Sequence, residues 1–240
     1  VFNISTQNRL AFNEDRAKIL HHKKFNTYAV HCVLFATYVI HNSHTLLCKI
    51  AIDSIPGQNS IPPLIEKTQI SHRSSKSIVC YFNVSKHIRD FVAFSKYPNI
   101  TFYVYLKKHP QNEHVPENVV FCDFGRDSKE RRQNCLGVIC SCGVETVFEN
   151  FQLALPMLCI PSNPEQLFNA YDHAKKIPGF RWSFDIREAE IENILNFSYS
   201  DEYWIRHRDF CTWLKETDRL EKTIHSFLAK TKQKKLNTYN

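Results

Sequence analysis

Between Val138 and Ala170 the chain reads VICSCGVETVFENFQLALPMLCIPSNPEQLFNA, and this stretch decides the fold. The apolar run over 136–140 has the length and β-branched content of a buried strand, and it ends in three small residues, Ser141, Cys142 and Gly143. A helical pattern over 144–153 follows without a linker. A second apolar run, 156–160, meets a polar turn over 161–164, and a second helix is expected from Glu165. A strand that breaks in a tight turn and opens a helix makes an anion site, because unbonded N–H groups and the positive end of the helix dipole face one point. Thr146 and Glu149 lie three apart and share one helix face, while Glu165, Gln166 and Asn169 open the next helix at the same sheet edge.

Gly143, Thr146, Glu149, Pro156, Pro161, Glu165, Gln166 and Asn169 stand in an order and at spacings that resemble the donor-binding half of two-domain nucleotide-sugar glycosyltransferases of the GT-B type. The likeness is to the bacterial lipid-linked-intermediate GlcNAc transferase and to archaeal and bacterial glycosyltransferases of unassigned acceptor. It covers residues 64–197. The resemblance implies that Gly143, with Thr146, lies against the diphosphate, since a residue without Cβ lets backbone amides approach closely. It implies that the Glu149 carboxylate accepts hydrogen bonds from the two ribose hydroxyls, and that Glu165 and Gln166, followed by Asn169, hold hydroxyls of the donor sugar. The loop after the third strand, Phe124, Gly125 and Arg126, would cup the base.

Three departures accompany the likeness. Family members often carry a glycine-rich turn after the first strand of this domain; here it reads Phe82, Asn83, Val84, Ser85, so Ser85 offers only a hydroxyl and a helix N-terminus. Ser141 stands where the plant and animal branch begins its turn with His. Glu145 adds an acid beside the expected diphosphate, with a side chain that a helix can turn away.

The flanking pattern agrees. Apolar runs at 76–83, 99–106 and 118–123 read as strands, and 85–97 reads as a helix capped by Ser85. Strands alternating with helical segments give an α/β fold with a Rossmann-like parallel sheet, helices on both faces, and ligands at the carboxyl ends of the strands. Three units are expected: 1–65, a remnant of an N-terminal acceptor domain and a linker over 52–64; 66–198, the donor-binding domain; and 199–240, C-terminal helices and a basic tail. A short strand end near Phe2 and an apolar element over 28–40 belong to the first unit. Apolar residues at helical spacing continue through 186–195 and 201–232, including Trp204, Ile205, Phe210, Trp213 and Leu214, and read as core. The resemblance places the catalytic base in N-terminal sequence outside this chain.

Composition narrows the classes. The apolar core within 28–47 is shorter than the ~20 residues that span a bilayer, and histidines interrupt it. A net charge of +7 and lysines at 230, 232, 234 and 235 suit peripheral contact with a membrane surface, while no basic-aromatic module points to nucleic acid. Nine cysteines, several inside apolar runs, read as reduced thiols of a cytoplasmic protein and lack paired zinc spacing, so no metal is expected. Sequons occur at Asn3, Asn83, Asn99 and Asn196, two of them abutting expected strands, and read as chance.

The resulting expectation is metal-independent transfer of a hexose or N-acetylhexosamine from a UDP-sugar to a hydroxyl acceptor, which the resemblance allows to be lipid-linked, with no further cofactor. The alternatives are a non-catalytic donor-binding subunit of a split glycosyltransferase and a nucleotide-sugar 2-epimerase on the same fold.

Overall fold

The computed structural model describes residues 2–4, 48–52, 56, 60–63, 65–66, 68, 73–82, 85–106, 115–125 and 127–216. The apolar element over 28–40, the turn residues Asn83 and Val84, Arg126 and the lysine-rich tail lie outside the described residues. Three short strands, β1 (Phe2–Ile4), β2 (Cys48–Ile52) and β3 (Ser60–Ile61), pair in parallel in that order. The stretch read from sequence as linker therefore contains a strand, β3, held by its register with Ala51 and Ile52.

The main sheet contains β4 (Ser77–Phe82), β5 (Thr101–Leu106), β6 (Val119–Cys122), β7 (Gly137–Cys140), β8 (Met157–Cys159) and β9 (Arg181–Trp182). Its spatial order is β6-β5-β4-β7-β8-β9, and every neighbouring pair is parallel. The chain runs outward through three strands and then returns to the other side of β4, which is the order of a doubly wound Rossmann-like sheet. The point of reversal lies between the ends of β4 and β7.

Side-chain alternation divides the core into two layers. Ile78, Cys80 and Phe82 point to one face, where they meet Ile88, Phe91 and Phe94 of a 3-10 helix (Ser85–Lys96). Phe94 stacks on Phe102 of β5 with ring centroids 3.9 Å apart. Ile191 and Ile194 of a later helix complete that face. The opposite face carries Val79, Tyr105, Val138, Cys140 and Cys159 against the remaining helices. Both faces are covered, which explains why the strands read as continuous apolar runs.

Among the described residues there are five α-helices: α1 (Asp127–Asn134), α2 (Val144–Gln152) and α3 (Pro164–Lys176) connect strands of the main sheet, and α4 (Glu188–Leu195) and α5 (Asp201–Lys215) follow β9. Two elements of the main domain were not expected from sequence. Helix α1 buries none of its residues and so lacks an apolar stripe, and β9 is only two residues long. The expected helix over 201–232 ends at Lys215 with Glu216 as its C-cap, and residues beyond Glu216 lie outside the described residues. Trp204 and Ile205, expected in the core, are 44% and 49% exposed. The buried stripe is instead Tyr203, His207, Phe210, Trp213 and Leu214, at the helical spacing that faces Phe148 and Phe151 of α2.

Six described cysteines are buried and Cys211 is half-buried, all as free thiols. The Cys140 and Cys159 sulfurs, paired across β7 and β8, lie 3.8 Å apart. Burial pushes the Cys80, Cys142 and Cys159 thiols up, and Cys140 is raised first by its contact with Cys159 and then by burial. Among the described residues no helix is long and apolar enough to cross a membrane, and no group of three or more His, Cys, Asp or Glu could hold a metal ion.

Two predictions follow from packing. Gly137 opens β7 where an added Cβ would meet Ile194 Cγ2 at 2.3 Å and the Pro156 carbonyl at 2.9 Å. Gly137→Ala should lower unfolding free energy by about 1–3 kcal/mol in urea titration, with Gly137→Ala/Ile194→Ala costing less than the sum of the two single changes. The His207 ring is buried and hydrogen-bonds through Nε2 to the Gln152 carbonyl, 2.9 Å away. Burial holds its imidazole below the ordinary 6.5, so the folded state favours the neutral ring. This stability is fully present above the unfolded value and is lost as pH falls through the folded one. The urea midpoint should fall from about pH 7.5 to about pH 5, and His207→Gln should reduce that fall.

Candidate donor-binding edge

The C-terminal ends of β4 and β7 meet at the reversal point, and the sequence-predicted residues gather there and on the helices that follow. The Ser141 amide donates to the Tyr81 carbonyl at 3.0 Å, extending the β4–β7 ladder one residue past Cys140. The chain then tightens: the Gly143 amide donates to the Ser141 carbonyl at 2.7 Å, and α2 begins at Val144. Gly143 is the N-cap, with φ −75° and ψ 135°, and no side chain caps this helix start. Thr146 lies in its first turn, half-buried, and Glu145 is exposed.

Gly143 is informative because nothing among the described residues requires it. Its φ is one that any L-residue adopts, and among the described residues an added Cβ would meet only Thr146 Oγ1, at 3.9 Å. Among the described residues the neighbouring space is open, at an uncapped helix N-terminus, on the carboxyl edge of the sheet at its reversal point. That is where a doubly wound sheet binds an anion.

The second helix braces the turn. Asn163 is the N-cap of α3, and its side chain accepts from the Gln166 amide at 2.9 Å. The Gln166 side-chain carbonyl accepts from both the amide and the hydroxyl of Ser162, at 2.8 and 2.7 Å. Asn169 is buried, and its amide group donates to the Cys142 carbonyl at 3.1 Å, tying α3 to the residue before Gly143. Both side chains thus hold loops at the site edge. Glu165 sits beside them in the first turn of α3, half-buried.

Glu149 lies on α2, one face with Thr146, and its Oε2 accepts a short hydrogen bond from Arg132 Nη1 of α1. Sequence reasoning missed Arg132, which sits 17 positions away on a helix with no apolar signal. The arginine carbon lies 5.4 Å from the Tyr81 ring centroid. Tyr81 in turn stacks on Tyr105 with centroids 5.0 Å apart and planes at 13°, and donates from its hydroxyl to the Ser128 carbonyl at 3.1 Å. Burial pushes the Tyr81 hydroxyl up to about 12, so it remains a donor across the physiological range. Phe124 follows β6 and is 52% exposed, with its ring 5.8 Å from Tyr105 and 6.4 Å from Tyr81. An exposed aromatic ring set on the buried Tyr105 and the half-buried Tyr81 is a stacking platform. Ser85 begins the 3-10 helix at the end of β4, so its backbone shares this edge.

A further hub fixes the exit of α2. Ala154 has φ 51°, a left-handed conformation that costs a non-glycine residue on the order of 1–2 kcal/mol. Arg73 donates to the Leu153 and Ala154 carbonyls at 3.0 and 2.5 Å and to the Tyr199 hydroxyl at 2.6 Å. Tyr199 donates to the same Ala154 carbonyl at 2.8 Å.

No family model matches the chain, and no curated protein matches it. Solved structures do. The spinosyn rhamnosyltransferase SpnG is similar with a TM-score of 0.55 at 13% identity, over 80% of this chain and 63% of that one. The calicheamicin glycosyltransferase CalG4 gives 0.55 at 10% identity, over 88% and 60%. The spinosyn forosaminyltransferase SpnP gives 0.53 at 14% identity, over 93% and 70%. Other SpnG structures are complexed with thymidine diphosphate and with spinosyn aglycone. The chain spans 63%, 57% and 66% of SnogD, of SpnG with thymidine diphosphate and of the kitacinnamycin glycotransferase, less than two thirds of each. What is shared at these identities is the fold: an α/β domain with the Rossmann-like parallel sheet of GT-B glycosyltransferases.

The contrast between strut and cradle is testable on the unliganded protein. Asn169→Ala, which leaves the Cys142 carbonyl without its side-chain donor, should cost about 1–2 kcal/mol in urea unfolding. Gly143→Ala should change stability by less than about 1 kcal/mol, because the lost N-cap preference and the reduced unfolded-state entropy oppose each other.

Proposed function

We propose that the domain binds the donor of a glycosyltransferase, a nucleoside diphosphate sugar, with the diphosphate at the N-terminus of α2. The observation that carries this reading is Gly143: a glycine with no conformational need and no packing need among the described residues, at an uncapped helix start, on the carboxyl edge of a GT-B-type sheet. Ser141, Thr146 and the amides that open α2 face the diphosphate, and Ser85 approaches from the turn after β4. The Glu149 carboxylate accepts from ribose hydroxyls, and Phe124 supports the base. Glu165, Gln166 and Asn169 line the sugar side, Gln166 and Asn169 acting through the loops they brace as well as through any polar atom they present.

The reaction proposed is transfer of a hexose or N-acetylhexosamine from a UDP-sugar to a hydroxyl acceptor. The acceptor oxygen gives up its proton to a general base outside residues 66–198 and bonds to the anomeric carbon. The bond from that carbon to the β-phosphate oxygen breaks, and UDP leaves with the electron pair. Backbone amides and the α2 dipole meet the charge on the departing diphosphate, the role a divalent cation fills elsewhere, so transfer proceeds without a metal. The preference for uridine and the acceptor class, lipid-linked hydroxyls included, are supported by the sequence resemblance, and peripheral membrane contact by the net charge of +7.

Calorimetric titration of the chain with UDP, UDP-GlcNAc, UDP-glucose and GDP tests this. Saturable binding of UDP and its sugars is expected, with Glu149→Ala weakening it about tenfold or more, the loss of hydrogen bonds to a charged acceptor. Folded protein that binds none of the four would overturn the reading.

A further inference from the structure

We propose that Arg132 is a positioning residue that lets Glu149 read a vicinal diol, so that the site takes ribonucleoside diphosphates in preference to their 2′-deoxy counterparts. This rests on the reading of Glu149 as the ribose acceptor. The two residues come from different helices, α1 and α2, and the arginine is the inner partner: its side chain is 14% exposed and that of Glu149 is 35% exposed. The carboxylate therefore presents its outer side to a ligand while its inner side is held.

The contact is end-on. Arg132 Nη1 donates to Oε2, and no second arginine nitrogen bonds Oε1. A carboxylate offers about four lone-pair directions over its two oxygens, so one arginine bond leaves both oxygens able to accept. A ribose 2′,3′-diol donates two O–H groups at the separation of those oxygens; a 2′-deoxyribose donates one. Toward the C-terminal end of α2 the pair borders only a cavity of about 30 Å³, shared with Glu66, Thr68, Lys129, Gln152 and Leu153 and too small for a nucleoside. The diol is thus left the approach from the N-terminal side of α2, the direction in which helical side chains lean.

Arginine can fix the carboxylate only if it is itself fixed. Its guanidinium lies 5.4 Å from the Tyr81 ring centroid, and Tyr81 is pinned by its stack on Tyr105 and by its hydroxyl bond to Ser128. The order of support runs from the sheet through Tyr81 and Arg132 to Glu149. Without the guanidinium, Glu149 regains the rotamer freedom of a long side chain and loses its countercharge. Two-point recognition suffers from that more than one-point recognition does, because both oxygens must be placed at once.

The test measures a ratio of affinities on the whole chain. UDP, 2′-deoxy-UDP and thymidine diphosphate are titrated by calorimetry into the unmodified protein, Arg132→Met, Arg132→Lys and Glu149→Gln. The unmodified protein should bind UDP about tenfold or more tightly than 2′-deoxy-UDP, the increment of one hydrogen bond to a charged acceptor. Arg132→Met keeps an apolar stem against Tyr81; it should weaken UDP about tenfold and bring the two affinities within about twofold, with 2′-deoxy-UDP little changed. Arg132→Lys should restore part of the ratio. Glu149→Gln leaves α1 intact and should collapse the ratio by itself, so the readout survives an unfolded arginine variant. A ratio near one in the unmodified protein overturns the proposal, as does an unchanged ratio in Arg132→Met with a lowered melting temperature, the mark of a purely structural ion pair. Binding of no nucleotide at all by the folded chain overturns the donor-site reading beneath it.

Discussion

The pairing of β7 with β4 is the constraint on which the site depends. After β6 the chain must abandon the edge it has been extending and cross back to the free side of β4, where Ile78 to Tyr81 register against Gly137 to Cys140. Gly137 eases that return by letting α4 and the Pro156 backbone close over the start of β7. Once it is made, the ends of two strands lie side by side with their helices leaving to opposite faces, and a concave space opens between them. Gly143, the N-terminus of α2 and the backbone at Ser85 occupy that space because of the strand order alone.

A turn that must hold still for a charged ligand needs its own polar groups engaged. The carbonyls of Cys142, Leu153 and Ala154 and the amide of Ser162 are each met by a side chain: Asn169, Arg73 and Gln166. These bonds surround α2 at both ends and leave its first amides without a side-chain cap. The left-handed Ala154 belongs to the same device. Its conformation is unfavourable locally, and Arg73 with Tyr199 over-determines it, so α2 ends at one place and β8 begins in register.

Much of this was legible in the residues. The strands on both sides of the reversal were visible as apolar runs because both sheet faces are covered, and the turn at 141–143 stood out by its small residues. The physical role of Gln166 and Asn169 was not legible, since spacing alone shows that a polar side chain is near the edge but not which carbonyl it meets. Helix α1 was invisible for a related reason: with no buried residue it has no periodic stripe, and it is held by contacts such as Arg131 over the Tyr103 ring at 3.9 Å. Arg132 was hidden with it. In α5 the apolar residues outnumber the buried face, so period alone could not show that Trp204 and Ile205 lie outside the stripe, where Trp204 stacks on Tyr199.

The free thiols give the molecule an internal clock for its own opening. Cys142 lies in the candidate diphosphate turn, fully buried near Cys140 and Cys159, whereas Cys211 is half-buried on α5, Cys80 is fully buried within β4 and Cys135 is fully buried just before β7. A buried, protonated sulfur is inert until solvent reaches it, so each thiol records a different event: surface breathing, loosening of the turn, or loss of the whole core. The order in which these sulfurs become reactive therefore traces how far the cradle can open before the sheet that builds it gives way.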